Sequence, residues 1–187
     1  MLKRVFIERE FSGGYKFSIV LGFCMIFILS LILADVPYMD DTTRMDNGLG
    51  QWEYEGRPLT TILLALLNFN INPIYNIGPI PLIFGTLFFA YTVCYATDKM
   101  LPKKNLVNIL PFTLLACNPF FIQNLSYQFD SIGNMFSVGF ILLAFFYQSE
   151  SKIKTYIIQL LFLVGVSALY QPTSNMYIGC LLYTSPS

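Results

Sequence analysis

The chain has no histidine and a single tryptophan, and only 12% of its 187 residues are charged, about half the share usual in a soluble domain. The missing histidine removes imidazole both as a general base and as a metal ligand. The four cysteines, Cys24, Cys94, Cys117 and Cys180, each lie in an apolar run. None has the close pair spacing of a zinc or redox motif, so they read as small apolar filler. Eleven basic and eleven acidic residues leave a net charge of zero, which gives no electrostatic case for a nucleic-acid partner. There is no internal repeat and no low-complexity tract. What remains is greasy: 55% hydrophobic and 17% aromatic residues, with a mean hydropathy of +0.59. This composition predicts an all-α, polytopic transmembrane helical bundle in a lipid bilayer.

Residues 1–16 form a basic, mildly amphipathic lead carrying Lys3, Arg4, Arg9 and Lys16. Residues 17–34 follow without a charge, about the length that spans a bilayer as a helix. A clear small-residue cleavage site is missing and further spans follow, so this reads as an uncleaved first span. Asp35, Val36 and Pro37 end it, because proline disfavours helix at the residue before it. A polar loop then runs over 35–76. Within it, Pro58 opens a short apolar helix over 58–67, too short to cross and expected in the membrane interface. Further spans are predicted at 77–97, 106–122 (bent near Pro111), 132–147 and 155–170, five in all, and another apolar run starts at Met176. With the N-terminus in the cytoplasm, nine of the eleven basic residues face inward, as the positive-inside rule asks. Only Arg44 and Arg57 face out. Seven of the eleven acids face out with them: Asp35, Asp40, Asp41, Asp46, Glu53, Glu55 and Asp130.

The loop after the first span therefore concentrates the chain's chemistry. Asp40 and Asp41 stand just past the end of that span. A partly desolvated carboxylate there can accept the proton of a sugar hydroxyl, which is otherwise a poor nucleophile. The plain alternative is a solvated acidic loop. Arg44 and Arg57 lie on the face the charge rule disfavours, and the planar guanidinium fork suits a lipid-linked phosphate. Their alternative is an ion pair with Asp46, Glu53 or Glu55. Trp52 and Tyr54 can stack on a sugar ring or belong to the aromatic belt of the interface. Asp130, where an outer loop enters the fourth span, either contacts substrate or caps the helix that follows. Tyr127 and Gln171 are candidate lining residues on the same side. Asp40, Asp41, Asp130 and Glu53 could supply hard oxygen ligands to Mg²⁺ or Mn²⁺, but no spacing requires an ion, and the arginines could neutralise a leaving phosphate instead.

Two blocks carry a resemblance. Tyr38-x-Asp40-Asp41-x-x-Arg44, with Trp52 and Gly56-Arg57-Pro58-Leu59, is the first. Asn118-Pro119-Phe120-Phe121-x-x-Asn124-Leu125-Ser126-Tyr127-x-Phe129-Asp130-Ser131 is the second. Together they resemble the bacterial serotype-converting O-antigen glucosyltransferases, which belong to the GT-C superfamily of polytopic membrane glycosyltransferases. The resemblance covers about residues 35–175. It implies a GT-C-like fold in the bacterial cytoplasmic membrane and a glucosyl phosphoryl-undecaprenol donor. It further implies a lipopolysaccharide O-antigen or similar cell-surface glycan as acceptor on the periplasmic face. It implies transfer with inversion, with Asp40 or Asp41 as the base. Members of that family are roughly twice as long, and the ending Leu181-Leu182-Tyr183-Thr184-Ser185-Pro186-Ser187 reads like translated sequencing adapter. The chain is therefore expected to be the N-terminal part of a longer protein, with an incomplete acceptor site and no assured activity of its own. A transporter or flippase for lipid-linked sugars would place ionisable residues near the midplane of the spans, which here are almost free of charge. A non-catalytic membrane scaffold would place no demand on Asp40 or Arg57.

Overall fold

The computed structural model describes residues 13–184 except 39, 49, 101–105 and 116. Residues 1–12 of the basic lead, and Lys103 and Lys104 of the second inner loop, lie outside the described residues. Those described are helical, with no strand among them. In chain order the helices are α1 (Gly13–Ala34), α2 (Asp40–Asn47), α3 (Pro58–Asn68), α4 (Ile80–Met100), α5 (Leu106–Thr113), α6 (Pro119–Leu125), α7 (Ser131–Phe146), α8 (Lys152–Leu169) and α9 (Ser174–Thr184), with a 3-10 turn at Gln171–Thr173.

α1, α4 and α8 are long and apolar enough to cross a membrane. α1 buries one stripe, Lys16, Val20, Cys24 and Ile28, spaced every fourth residue and hence on one side of the helix. Neighbours such as Phe17, Leu21 and Met25 pack partly against the same core, while Phe23, Ile26 and Leu33 are exposed. α4 is the central element and is buried on most of its circumference, from Pro81 to Thr97. It packs most extensively against α7, which in turn packs on α8, while α1 lies on α4's other side. Glycines set these close approaches. A Cβ at Gly85 of α4 would stand 2.7 Å from the Met135 Cβ of α7, and one at Gly165 of α8 would stand 2.7 Å from the Phe140 ring. Small residues at crossings let helices approach where lipid offers no hydrophobic drive. Some buried hydroxyls are satisfied within their own helices, Thr86 donating to the Leu82 carbonyl at 2.7 Å and Thr97 to that of Val93 at 3.0 Å, while Thr60 donates to the Leu169 carbonyl of a neighbouring helix at 3.0 Å.

The predicted third span is not one helix. α5 has 8 residues and α6 has 7, each too short to cross. Pro111 lies within α5 and removes a backbone donor, and α5 ends two residues later. The chain turns, and Asn118 starts α6 by accepting the Phe120 N–H at 2.9 Å, with Pro119 in the first turn. The predicted fourth span is the 16-residue α7. The short apolar helix of the first loop is α3, which buries Thr60 and Leu64 against the bundle. It leaves Ile62, Leu66 and Phe69 exposed on the other side, as an interfacial helix would.

The two ends of the bundle differ. At one end Lys16 is buried, pairs with Asp98 at 2.7 Å and donates to the Cys94 carbonyl at 2.9 Å, tying α1 to the end of α4. At the other end the loops 35–57, 126–130 and 170–173 meet.

Candidate active site

α2 begins directly at Asp40, so Asp40 and Asp41 occupy its first turn about 100° apart. That difference in phase separates their surroundings. Asp41 is buried. Its Oδ2 accepts the Gln128 N–H at 2.8 Å and the Tyr38 N–H at 3.3 Å, and its Oδ1 lies 3.5 Å from the Phe129 nitrogen. Asp41 therefore joins the first loop to the 126–130 loop. Burial pushes its carboxyl above the usual range, against these N–H donors and Arg44, which favour the charged form. Asp40 is exposed. Nearby, Tyr38 and Tyr127 meet edge to face with ring centroids 5.1 Å apart. The Tyr127 hydroxyl is pushed up by burial, then by Tyr38, Asp40, Asp130 and Asp41.

Beside this pair lies a closed circuit of five side chains. The Trp52 indole N–H donates to Asp130 Oδ1 at 2.5 Å. The same oxygen stands 3.5 Å from Arg57, and Arg57 stands 3.3 Å from Glu55. The other Glu55 oxygen pairs with Arg44 at 2.7 Å. The Arg44 guanidinium returns to Trp52, 4.3 Å above its ring, a favourable cation–π placement. Two cations and two anions make the circuit neutral. The arginines are not equivalent. Arg44 also donates to the Gly50 carbonyl at 2.9 Å and its side chain is 14% exposed, whereas Arg57 makes only the two longer ion contacts, lies over Tyr170 and is 25% exposed. Asp130 is raised by burial, with Arg57, Arg44 and Trp52 opposing that shift.

The structure brings Asp41, Arg44, Trp52, Arg57, Tyr127 and Asp130 together and puts Asp40 at the margin. Gln171 reaches Gly56, where a Cβ would stand 2.6 Å from its Nε2. Tyr54 projects outward, 83% exposed. Two expectations change. Trp52 is fully buried, covered by Arg44 and by Phe129 at a centroid distance of 5.8 Å, so it has no open ring face for a sugar. Asp130 precedes α7 but makes no capping hydrogen bond; its carboxylate is spent on Trp52 and Arg57. Glu53 accepts from Thr61 at 2.8 Å. Among the described residues no three acidic or cysteine side chains are grouped to hold a metal ion. Sequence reasoning gave Gln128 no part, yet it receives Asn76 on its side-chain oxygen and donates to Asp35 at 3.2 Å. Only its place in a loop crowded with polar residues hinted at this. A cavity of about 180 Å³ opens between the end of α1 and this loop, lined among others by Leu31, Asp35, Tyr38, Gln128 and Ser131.

A loop-borne cluster of carboxylates and arginines thus stands at one end of an apolar bundle. Comparison with known families gives a match over residues 15–184 to the model described as glucosyl transferase GtrII. The chain belongs to the GtrII glucosyl transferase family. A GtrII relative in this sense is an uncharacterized 55.3 kDa protein in the gtrB 5′ region of Salmonella phage P22, 31% identical over 166 residues. The match covers 88% of this chain and 34% of the phage protein, so the chain spans about a third of that relative's length. No solved structure matches. For a GtrII member, the apolar helices and the polar end agree with a membrane-embedded glycosyltransferase.

Proposed function

We propose that the full-length protein transfers a glucosyl residue from a polyprenyl-phosphate carrier to a cell-surface glycan, such as a lipopolysaccharide O-antigen. Transfer would occur on the external face of the bacterial inner membrane, with the N-terminus in the cytoplasm. The observation that carries the reading is the division of labour at the start of α2. Asp41 is buried and holds backbone N–H groups, whereas the neighbouring Asp40 carboxylate is exposed beside Tyr127. Asp40 is accordingly the base. It takes the proton of the acceptor hydroxyl as that oxygen bonds to the glucosyl anomeric carbon. The bond from that carbon to the phosphate oxygen breaks in the same displacement, so the anomeric configuration inverts. The electron pair leaves on polyprenyl phosphate, whose charge Arg57 offsets. Exposed Tyr54 and Gln171 and partly buried Tyr127 are the residues placed to meet sugar hydroxyls.

The test is transfer of labelled glucose from a polyprenyl-phosphate donor in membranes carrying the full-length protein. Asp40→Asn is expected to lower the rate by about 10²-fold or more at unchanged protein level, the usual worth of a positioned base. Asp41→Asn is expected to lower the amount of folded protein as well. An unaltered rate in Asp40→Asn would remove it from the mechanism.

A further inference from the structure

Of the five-residue circuit, only Arg57 has a step in the proposed transfer, and Glu55 is the more exposed of the two carboxylates set against it. It sits on the six-residue turn 51–56, two residues from Arg57. Gly56 between them has φ +76°, a left-handed conformation that glycine adopts without strain. That reversal lets Glu55 and Arg57, which are near neighbours in the chain, face each other. Glu55 is 41% exposed and its two oxygens are shared between two cations, tightly with Arg44 at 2.7 Å and loosely with Arg57 at 3.3 Å. Arg57 has a second long contact to Asp130 at 3.5 Å. The more exposed arginine is thus the more weakly held, and the group against it on the open side is a carboxylate of about the shape and charge of one edge of a phosphate.

We propose that Glu55 is a built-in competitor for the donor-phosphate position, which Arg57 exchanges for the lipid phosphate while Arg44 keeps hold of the other Glu55 oxygen. This rests on the reading of Arg57 as the phosphate-binding residue. The exchange needs no movement of the buried part of the circuit, because Trp52, Asp130 and Arg44 keep their mutual contacts. Its consequence is for turnover. A glucosyl phosphodiester carries one negative charge and the released polyprenyl monophosphate carries up to two, so the product would bind a bare pair of arginines more firmly than the substrate. A carboxylate that can return to Arg57 opposes that retention and favours release.

The experiment measures binding of a short-chain polyprenyl monophosphate to the purified full-length protein, in wild type, Glu55→Gln, Glu55→Asp and Arg57→Gln, with thermal melting to confirm folding. Glu55→Gln keeps the shape and removes the charge. It is expected to bind the monophosphate roughly three- to tenfold more tightly, the scale of a partly exposed charge pair. Steady-state transfer is expected to show a lower kcat together with stronger inhibition by this product. Glu55→Asp, which retains the charge one methylene further back, is expected to lie between. If Glu55 only braces the arginines, Glu55→Gln binds the ligand more weakly or equally, and the proposal is overturned. If Arg57→Gln binds as wild type does, the phosphate reading of Arg57 itself fails, whatever Glu55 does.

Discussion

Asp40 and Asp41 differ because the first turn of α2 buries one against the 126–130 loop and leaves the other exposed. Burial makes Asp41, and Asp130 in the facing loop, costly to ionise. For both, burial holds the native carboxyl above its ordinary value, so in the window just above that value the folded protein binds more protons than the unfolded chain. Stability from this source is present at low pH and falls as pH rises through the native value. Melting curves of detergent-purified protein should therefore show wild type losing ground to Asp130→Asn as pH rises from about 4, the usual carboxylate value, with the gap closing at lower pH. A gap that widens on acidification would contradict the assigned direction. None of this was readable from the Asp-Asp pair as letters, since adjacent identical residues differ only by helical phase. Trp52 is a related case: an indole next to charged residues is open or covered depending on whether Arg44 and Phe129 fold onto it, and the sequence around Trp52 carries no sign of either.

At the level of helices, the long apolar runs announced α1, α4 and α8, because length, hydropathy and the polar residues at their ends all agree. The division of the third predicted span did not show. Residues 106–122 carry no charge and are mostly apolar, so beyond a bend at Pro111 hydropathy does not show a helix that stops at Thr113 and a second that starts at the Asn118 cap. The glycine crossings were equally silent, since a glycine matters only for what faces it. Gly85→Ala puts a methyl group 2.7 Å from the Met135 Cβ, where both atoms hang on packed helices. It is expected to destabilise the protein by about 1–3 kcal/mol, as other overpacked sites do, measured as a lower midpoint in thermal or denaturant unfolding. Gly13→Ala, with nothing within 4 Å of the added carbon, serves as the control and is expected to leave the midpoint in place.

At the scale of the whole molecule, the two ends carry different polar groups among the described residues. The cluster of loops 35–57, 126–130 and 170–173 lies opposite the Lys16–Asp98 pair, so the two ends should be told apart by reagents that do not cross lipid. In a full-length protein whose native cysteines are replaced by alanine, Tyr54→Cys should react with an impermeant maleimide in intact cells. Glu150→Cys, also exposed, should react only after the membrane is opened. The reverse pattern would invert the assigned orientation. That the three loops share an end was legible from the alternation of spans and the placement of basic residues, and the arginine pairs with Glu55 were among the alternatives weighed; the contacts between loops were not legible, because they join residues 78 or more positions apart, as in Trp52 with Asp130 and Gln128 with Asp41.

The Lys16 tie acts at a distance. α1 has 22 residues and is thus a strut of about 33 Å. Its foot is pinned to α4 by Asp98 and the Cys94 carbonyl, and its head ends a few residues before Asp40. A lipid-borne phosphate rides at a height fixed by the bilayer, not by the protein. In the proposed transfer, a strut of set length clamped at the far end of the bundle would make the altitude of the Asp40 carboxylate equally invariant, bringing base and lipid-linked donor level by carpentry done at the opposite end.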